Sequence, residues 1–219
     1  VSLPVSLPAD ALGWIVHACA LSVREALATR LEPLGHAVSL KWPNDVLVDG
    51  ARKICGILAQ LAPASSPFTT AAILGYGVNI GQERAILPTA QATSLAAEGD
   101  QRAGEDPTGV AHELLGQILA GLDRRISSLV RHGDAISAGL LAEAEAALPL
   151  IGTRIALASP TDASGTPALE GLALGLAPTG ALLLRTDDGH SHRIDAGDVL
   201  TTGIPLTPVH DTKEKRANN

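Results

Sequence analysis

Apolar residues at Leu12, Ile15, Val16, Cys19, Val23, Leu27 and Leu31 return every three or four positions, which predicts a helix. Asp10 is its expected N-cap, and Pro33 and Gly35 its stop. The period then changes to two. Ala37–Lys41 alternates, and Val46–Val48 and Ile54–Leu61 flank Asp49-Gly50, a strong hairpin signal. A rigid turn, Trp42-Pro43-Asn44-Asp45, separates the first two runs. Pro63–Pro67 reads as a loop, Thr69–Leu74 as another strand, and Gly81 to Pro107 as loop with a short helix near Ala92–Glu98. Helical spacing resumes from about Thr108 to Arg131, with Leu114, Leu115, Ile118, Leu122, Ile126 and Leu129 on the buried side. An Ala-rich helix follows over roughly Asp134–Leu148.

At Pro149 the pattern becomes one of short β-type runs: Thr153–Ala158, Leu169–Leu176, Ala181–Arg185 and His192–Ile194. Pro160-Thr161-Asp162, Pro178-Thr179-Gly180 and Asp187-Asp188-Gly189 separate them. This spacing predicts a small barrel of about five strands. The expected organisation is therefore α+β: residues 1–148 as a mixed sheet backed by helices, 149–206 as a small β-barrel, and 207–219 as a frayed polar tail.

Composition narrows the field. The chain has 219 residues, 46% hydrophobic and 18% charged, enough for a real core and too apolar for a disordered chain. Only Trp14, Trp42, Phe68 and Tyr76 are aromatic and methionine is absent, so Leu, Ala, Val and Ile carry the packing. A net charge of −7 with four aromatics argues against general nucleic-acid binding, which needs a basic footprint or stacking platforms. Cys19 and Cys55 lie in apolar surroundings and read as two buried free thiols in a reducing compartment. No basic-then-apolar leader opens the sequence and His17 interrupts its longest apolar stretch, which points to the cytoplasm and away from a membrane.

The chemistry gathers around one hairpin. Lys41 ends a strand, Asp45 begins the next and Lys53 opens the returning one, so Asp45 and Lys53 are expected to fall nearly opposite each other, within ion-pair reach. Taken alone, such a pair is more often a solvated strand-end pair than a site. The following strand, however, ends in Gly75-Tyr76-Gly77-Val78-Asn79, a second polar, glycine-rich end that can lie beside the first. An Asp, two Asn and two Lys at adjoining strand ends suit a magnesium–nucleotide site. No Walker-type loop or dinucleotide fingerprint is present.

Lys41-Trp42-Pro43-Asn44-Asp45, with Asp49-Gly50, Lys53 and Gly56-Ile57-Leu58 downstream, resembles the signature of biotin–protein ligases. Gly75-x-Gly77-x-Asn79-Ile80 and Ala92-Thr93-Ser94-Leu95 match two further motifs of that family, and Ile151–Leu206 is similar to its small SH3-like C-terminal barrel. The likeness runs from about Pro8 to Leu206 and implies a class II synthetase-like catalytic sheet. It also implies ATP-dependent ligation of biotin, through biotinyl-AMP, to a lysine of the biotin carboxyl carrier protein of acetyl-CoA carboxylase. By position, Lys53 would contact the biotin carboxylate and the α-phosphate. Asp45, Asn44 and Asn79 would organise Mg2+ and the ATP phosphates, and Lys41 would support the nucleotide end. Gly56, Gly75 and Gly77 would present backbone around biotin, and Asp45 would assist deprotonation of the carrier lysine. The resemblance leaves room for a homodimer.

Three departures accompany the likeness. The turn between Asp45 and Lys53 is one residue longer than usual, and the extra residue is expected in the loop near Ala51. Gln60 replaces a common Glu. The family's upstream Gly/Arg-rich loop is missing from this sequence, so an N-terminally shortened ligase is the expectation, with two alternatives: a fragment that only binds carrier or biotin, and a ligase for another acyl cofactor such as lipoate. No DNA-binding helix-turn-helix is visible. The remaining candidates read as ordinary surface: His190-Ser191-His192 beside Asp187 and Asp188 as an exposed turn, and Arg124, Arg125 and Arg131 as a solvated face. His112 and His132 likewise read as helix surface, His17 as satisfied or at the surface, and Trp14 and Trp42 as packing anchors.

Overall fold

The computed structural model describes residues 1–63, 70–158 and 167–204. The loop expected from Pro63 to Pro67, the turn at Pro160-Thr161-Asp162 and the polar tail lie outside or largely outside these residues. Two five-stranded sheets and a helical layer make up the rest. The first sheet contains β1 (Ser2–Val5), β2 (Val38–Lys41), β3 (Asp45–Val48), β4 (Arg52–Pro63) and β5 (Thr70–Val78), in the order β1-β5-β4-β3-β2. The second contains β6 (Arg154–Ala158), β7 (Pro167–Leu176), β8 (Leu182–Arg185), β9 (Ser191–Ile194) and β10 (Asp198–Ile204), in the order β10-β6-β7-β8-β9.

The α+β expectation holds, with a difference in pairing. Every ladder among the described residues is antiparallel, so the first sheet is not mixed. The one parallel contact among the described residues is an isolated bridge between Lys53 and Ala92. Short connections explain this, because β2–β3 and β3–β4 are joined by tight turns that cannot cross over.

Helix α1 (Trp14–Leu31) lies across β2 to β5 and packs on α3 (Pro107–His132) and α4 (Leu140–Ala147). It begins after Gly13, and Asp10 sits instead in a preceding 3-10 turn, Ala9–Ala11. The expected one-sided stripe is too narrow: thirteen of the eighteen residues of α1 are buried, among them His17 and Ser22. Ala9–Leu34 has the length and hydropathy of a membrane span, but 72% of its most apolar window is buried inside the protein, which makes it the core helix. Asp106 caps α3 by accepting from the Gly109 N–H, Pro107 occupies the first turn, and Gly133 at φ 80° ends the helix. Leu115, expected inside, is 40% exposed. Arg125, expected at the surface, is instead 6% exposed. Arg125 pairs with Glu143 of α4 and with Glu25 of α1 at 2.8 Å, and donates to Ser22 Oγ at 3.2 Å. Short α2 (Gln101–Glu105) is capped by Asp100, which also binds Arg30 at 2.6 Å.

The helical layer meets the second sheet through specific contacts. Trp14 Nε1 donates to the Pro178 carbonyl at 2.6 Å, His17 Nε2 lies 2.9 Å from the Gly180 carbonyl, and Glu145 accepts from the Leu176 N–H at 2.7 Å. Cys19 and Cys55 are buried and free, as the apolar pattern anticipated.

Candidate functional site

Helices cover one face of the first sheet and leave the other open. On that open face Gly56 pairs with Gly77 and Leu58 with Gly75, so three of four neighbouring positions lack a side chain. The result is a smooth floor at the middle of the sheet. A methyl group at Gly77 would meet nothing within 4 Å, and at Gly75 only the Leu58 carbonyl at 4.0 Å. A cavity of about 630 Å³ lies over this floor, walled by Asn44, Asp45, Lys53 and, from the second sheet, Gly197 and Asp198.

Lys53 and Asp45 come together as the sequence suggested, but by a different route. They are not opposite in register: Asp45 pairs with Gly56 and Lys53 with Leu47. The register slips between Val46 and Leu47, where Ile54 forms a bulge. Both Ile54 and Cys55 are consequently buried, at 0% and 1% exposure, although neighbours on a regular strand face opposite ways. The bulge places Lys53 on the same face as Gly56, three residues on. The bulge falls after Lys53, while the stretch between Asp45 and Lys53 turns through Asp49-Gly50-Ala51. Lys53 Nζ stands 2.6 Å from Asp45 Oδ1, with side-chain exposures of 49% and 16%. A methyl at Gly56 would sit 3.2 Å from that Nζ, so the glycine is the space the ammonium uses.

The other predicted residues divide. Asn44 lines the cavity and its Nδ2 donates to the Ile57 carbonyl at 2.7 Å, fixing the turn against β4. Lys41 faces an adjoining cavity of about 440 Å³, which shares Asp45 and Lys53 with the first and is closed by Pro149, Leu150, Val199 and Leu200. Its Nζ pairs with Asp198 Oδ1 at 3.2 Å, a bridge between the two sheets. Asn79 is not on either cavity wall. Its Nδ2 donates to the Thr93 carbonyl at 2.9 Å, its N–H to the Ile54 carbonyl, and its own carbonyl accepts from Leu95, so it ties loop to sheet. The proposed trio of Asn44, Asp45 and Asn79 is therefore not gathered around one point.

Sequence reasoning missed Asp198 and the polar cluster behind Lys53. Asp198 could not be paired from local spacing, because its partner lies 157 residues away. His36, Asp49, Arg52 and Glu98 converge at the β3–β4 turn: Arg52 bonds Asp49 and Glu98 at 2.6 Å each, and His36 Nδ1 lies 2.8 Å from Asp49. Hydrogen bonds from His36 and the Ala37 N–H hold the Asp49 carboxyl down to about 2. Of the expected exposed turn, His190 and Ser191 are exposed, but Ser191 and His192 belong to β9 and His192 is half-buried; His190 pairs with Asp188 at 3.0 Å.

This arrangement is a known fold. Solved structures of the biotin protein ligase from Aquifex aeolicus superpose with TM-scores of 0.60 and 0.62, at 24% and 23% identity, covering 90% of this chain and 80% and 78% of theirs. Residues 161–200 match the family model described as the biotin protein ligase C terminal domain. The Mycobacterium tuberculosis biotin--[acetyl-CoA-carboxylase] ligase is 31% identical over 196 residues, 90% of this chain and 65% of that protein. The Bacillus subtilis bifunctional ligase/repressor BirA is 32% identical over 160 residues, 72% of this chain and 45% of that protein. The chain thus has the fold of the biotin protein ligases and carries the match to their C-terminal domain in its second sheet. It spans less than two thirds of the length of either of these two relatives.

Proposed function

We propose that the chain joins biotin to a carrier-protein lysine at the expense of ATP, with residues 1–148 carrying the chemistry and 149–206 closing one side of the site. The observation that carries this reading is the Lys53–Asp45 pair standing half-exposed over a glycine floor, in a cavity large enough for a small organic acid and part of a nucleotide. One of the Aquifex structures is of that enzyme in complex with biotin and ATP, at a TM-score of 0.59, which supports the choice of ligands.

The chemistry sets the requirements. A carboxylate is a poor acylating agent until an oxygen of it attacks the α-phosphorus of ATP and displaces pyrophosphate, giving biotinyl-AMP. Two anions must meet, so a cation has to stand between them. Lys53 is placed for that role, with Asp45 orienting its ammonium. Lys41, on the neighbouring cavity wall, offers a second cation for the nucleotide end. Gly56, Gly75 and Gly77 let the biotin lie directly on the backbone. In the second step the carrier amine attacks the anhydride carbonyl, AMP leaves, and one proton is lost. Asp45 is the carboxylate nearest to receive it.

Magnesium fits two of the three expected residues. Asp45 and Asn44 offer hard oxygen donors on the cavity wall, which suits an ion that binds through one or two protein oxygens and the substrate phosphates. Asn79, turned to Thr93, does not join them. When bound, the ion would neutralise phosphate charge.

The test is transfer. The protein, ATP, Mg2+ and labelled biotin are mixed with a biotin carboxyl carrier domain, and the acceptor lysine is located by mass spectrometry. Biotin on that one lysine, not competed by lipoate, is the expected result. No transfer by the folded chain, or transfer of lipoate in its place, contradicts the reading.

A further inference from the structure

Glu98 is a buried carboxylate that neither cavity uses. Its side chain is 3% exposed at the end of a short 3-10 turn, Ala96–Glu98. Oε1 accepts from Arg52 Nε at 2.6 Å, from Arg84 Nη2 at 3.3 Å and, closely, from the Thr93 hydroxyl, while Oε2 accepts from Arg52 Nη2 at 2.9 Å. Burial works to raise the Glu98 carboxyl, but the bonds from Arg52 and Thr93 hold it below the ordinary value, so it stays charged. A buried ion pair is a poor way to gain stability, since an apolar pair of similar shape does as well. What such a pair does give is direction, through bonds of fixed geometry.

Two of the partners of Glu98, Arg52 and Thr93, lead to Lys53. Arg52 is its chain neighbour. Thr93, fully buried, sits across the isolated parallel bridge: its N–H donates to the Lys53 carbonyl at 2.8 Å, and the Lys53 N–H donates to the Gln91 carbonyl at 2.7 Å. The Thr93 carbonyl in turn receives Asn79 Nδ2. The bulge at Ile54 makes this support necessary, because a bulged strand leaves its own ladder and loses regular hydrogen bonds just where Lys53 stands.

We propose that Thr93 and Glu98 are positioning residues for Lys53. Glu98 fixes the Thr93 hydroxyl and the Arg52 guanidinium, and these hold the Lys53 main chain from two directions, so that its ammonium stands over Gly56 beside Asp45. The catalytic part of this assignment rests on the ligase reading above; the positioning itself does not.

Competitive labelling separates the two. The full chain, as wild type, Thr93→Val, Thr93→Ser and Glu98→Gln, is treated with trace acetic anhydride, and acetylation of Lys53 relative to Lys41 is read by mass spectrometry. Biotin-dependent pyrophosphate exchange is measured on the same samples. Losing one net hydrogen bond from this network should raise relative Lys53 labelling by about three- to tenfold in Thr93→Val and Glu98→Gln, and lower the kcat of exchange by a similar factor. Thr93→Ser, which restores the hydroxyl, should behave as wild type. Glu98→Gln keeps the side-chain volume and carries the test if Thr93→Val does not fold. Unchanged labelling in a folded Thr93→Val or Glu98→Gln overturns the proposal, as does a Thr93→Ser protein that labels like a loosened one. Altered labelling with no exchange even in wild type would uphold the positioning and overturn the ligase reading instead.

Discussion

Lys53–Asp45 and Arg125–Glu143 are both close ion pairs between neighbouring elements, yet their surroundings are opposite. Lys53 is 49% exposed and opens on a cavity whose floor is largely glycine. The Arg125 side chain is 7% exposed, wedged where α1, α3 and α4 meet, and every direction from it ends in protein. The first pair leaves its cation available to a ligand; the second joins three helices. A charge kept within reach of solvent, with room beside it, is where an anion can be met, and a charge sealed among helices is a fastening.

That contrast can be broken in several places. The largest effect is expected from Lys53→Ala, which should lower biotin-dependent adenylation by about 100- to 1,000-fold, the usual cost of removing a group that stabilises developing charge. Its thermal stability should barely move, because a half-exposed pair contributes at most about 1 kcal/mol. Gly56→Ala should act on the same ammonium from below. A methyl 3.2 Å from Lys53 Nζ displaces it, and a misplacement of this kind costs about tenfold in rate while the fold is kept.

Arg125→Met should do the reverse, lowering stability by about 2–3 kcal/mol in denaturant titration with little change in activity per folded molecule. The loss falls at the low end for a buried pair because Glu25 and Glu143 are 47% and 42% exposed and return to water. An Arg125→Met protein as stable as wild type would mean that the helical layer does not need this fastening.

The smallest effect is a pH slope. Burial lowers the pKa of His17, against the raising influence of its bond to the Gly180 carbonyl, so the native state resists a proton that the unfolded chain accepts near 6.5. A base depressed in the folded state costs stability as pH falls below its unfolded value, so stability should decline from about pH 6.5 downward. His17→Gln can still donate to Gly180 and should flatten that part of the curve. An unchanged slope would place its origin elsewhere.

The two regions were not equally legible in the sequence. The site lies in stretches where chemistry and spacing are local, and Lys41 to Gly56 and Gly75 to Gly77 announce a hairpin and a glycine floor without any tertiary information. Even there the register was misplaced. A bulge depends on which side chains the core accepts, and only the burial of both Ile54 and Cys55 reveals it. Asn79 read as a ligand because its type and motif allowed it, but its amide is bonded to a carbonyl fourteen residues away. The helical layer was harder. Arg125 sits between apolar neighbours at helical spacing, and its burial follows from Glu143, Glu25 and Ser22, the last of them 103 residues distant. Glu98 was hidden for the same reason: a polar residue at the end of a loop looks solvated until Arg52 and Thr93 are brought against it.

Biotin-dependent exchange of labelled pyrophosphate into ATP by this chain, compared with Lys53→Ala, tests the central claim most directly. Exchange that requires biotin in the wild type and falls to background in the folded mutant is the predicted result. Exchange that persists without Lys53, or is absent from a folded wild-type chain, would contradict the assignment of adenylation to this site.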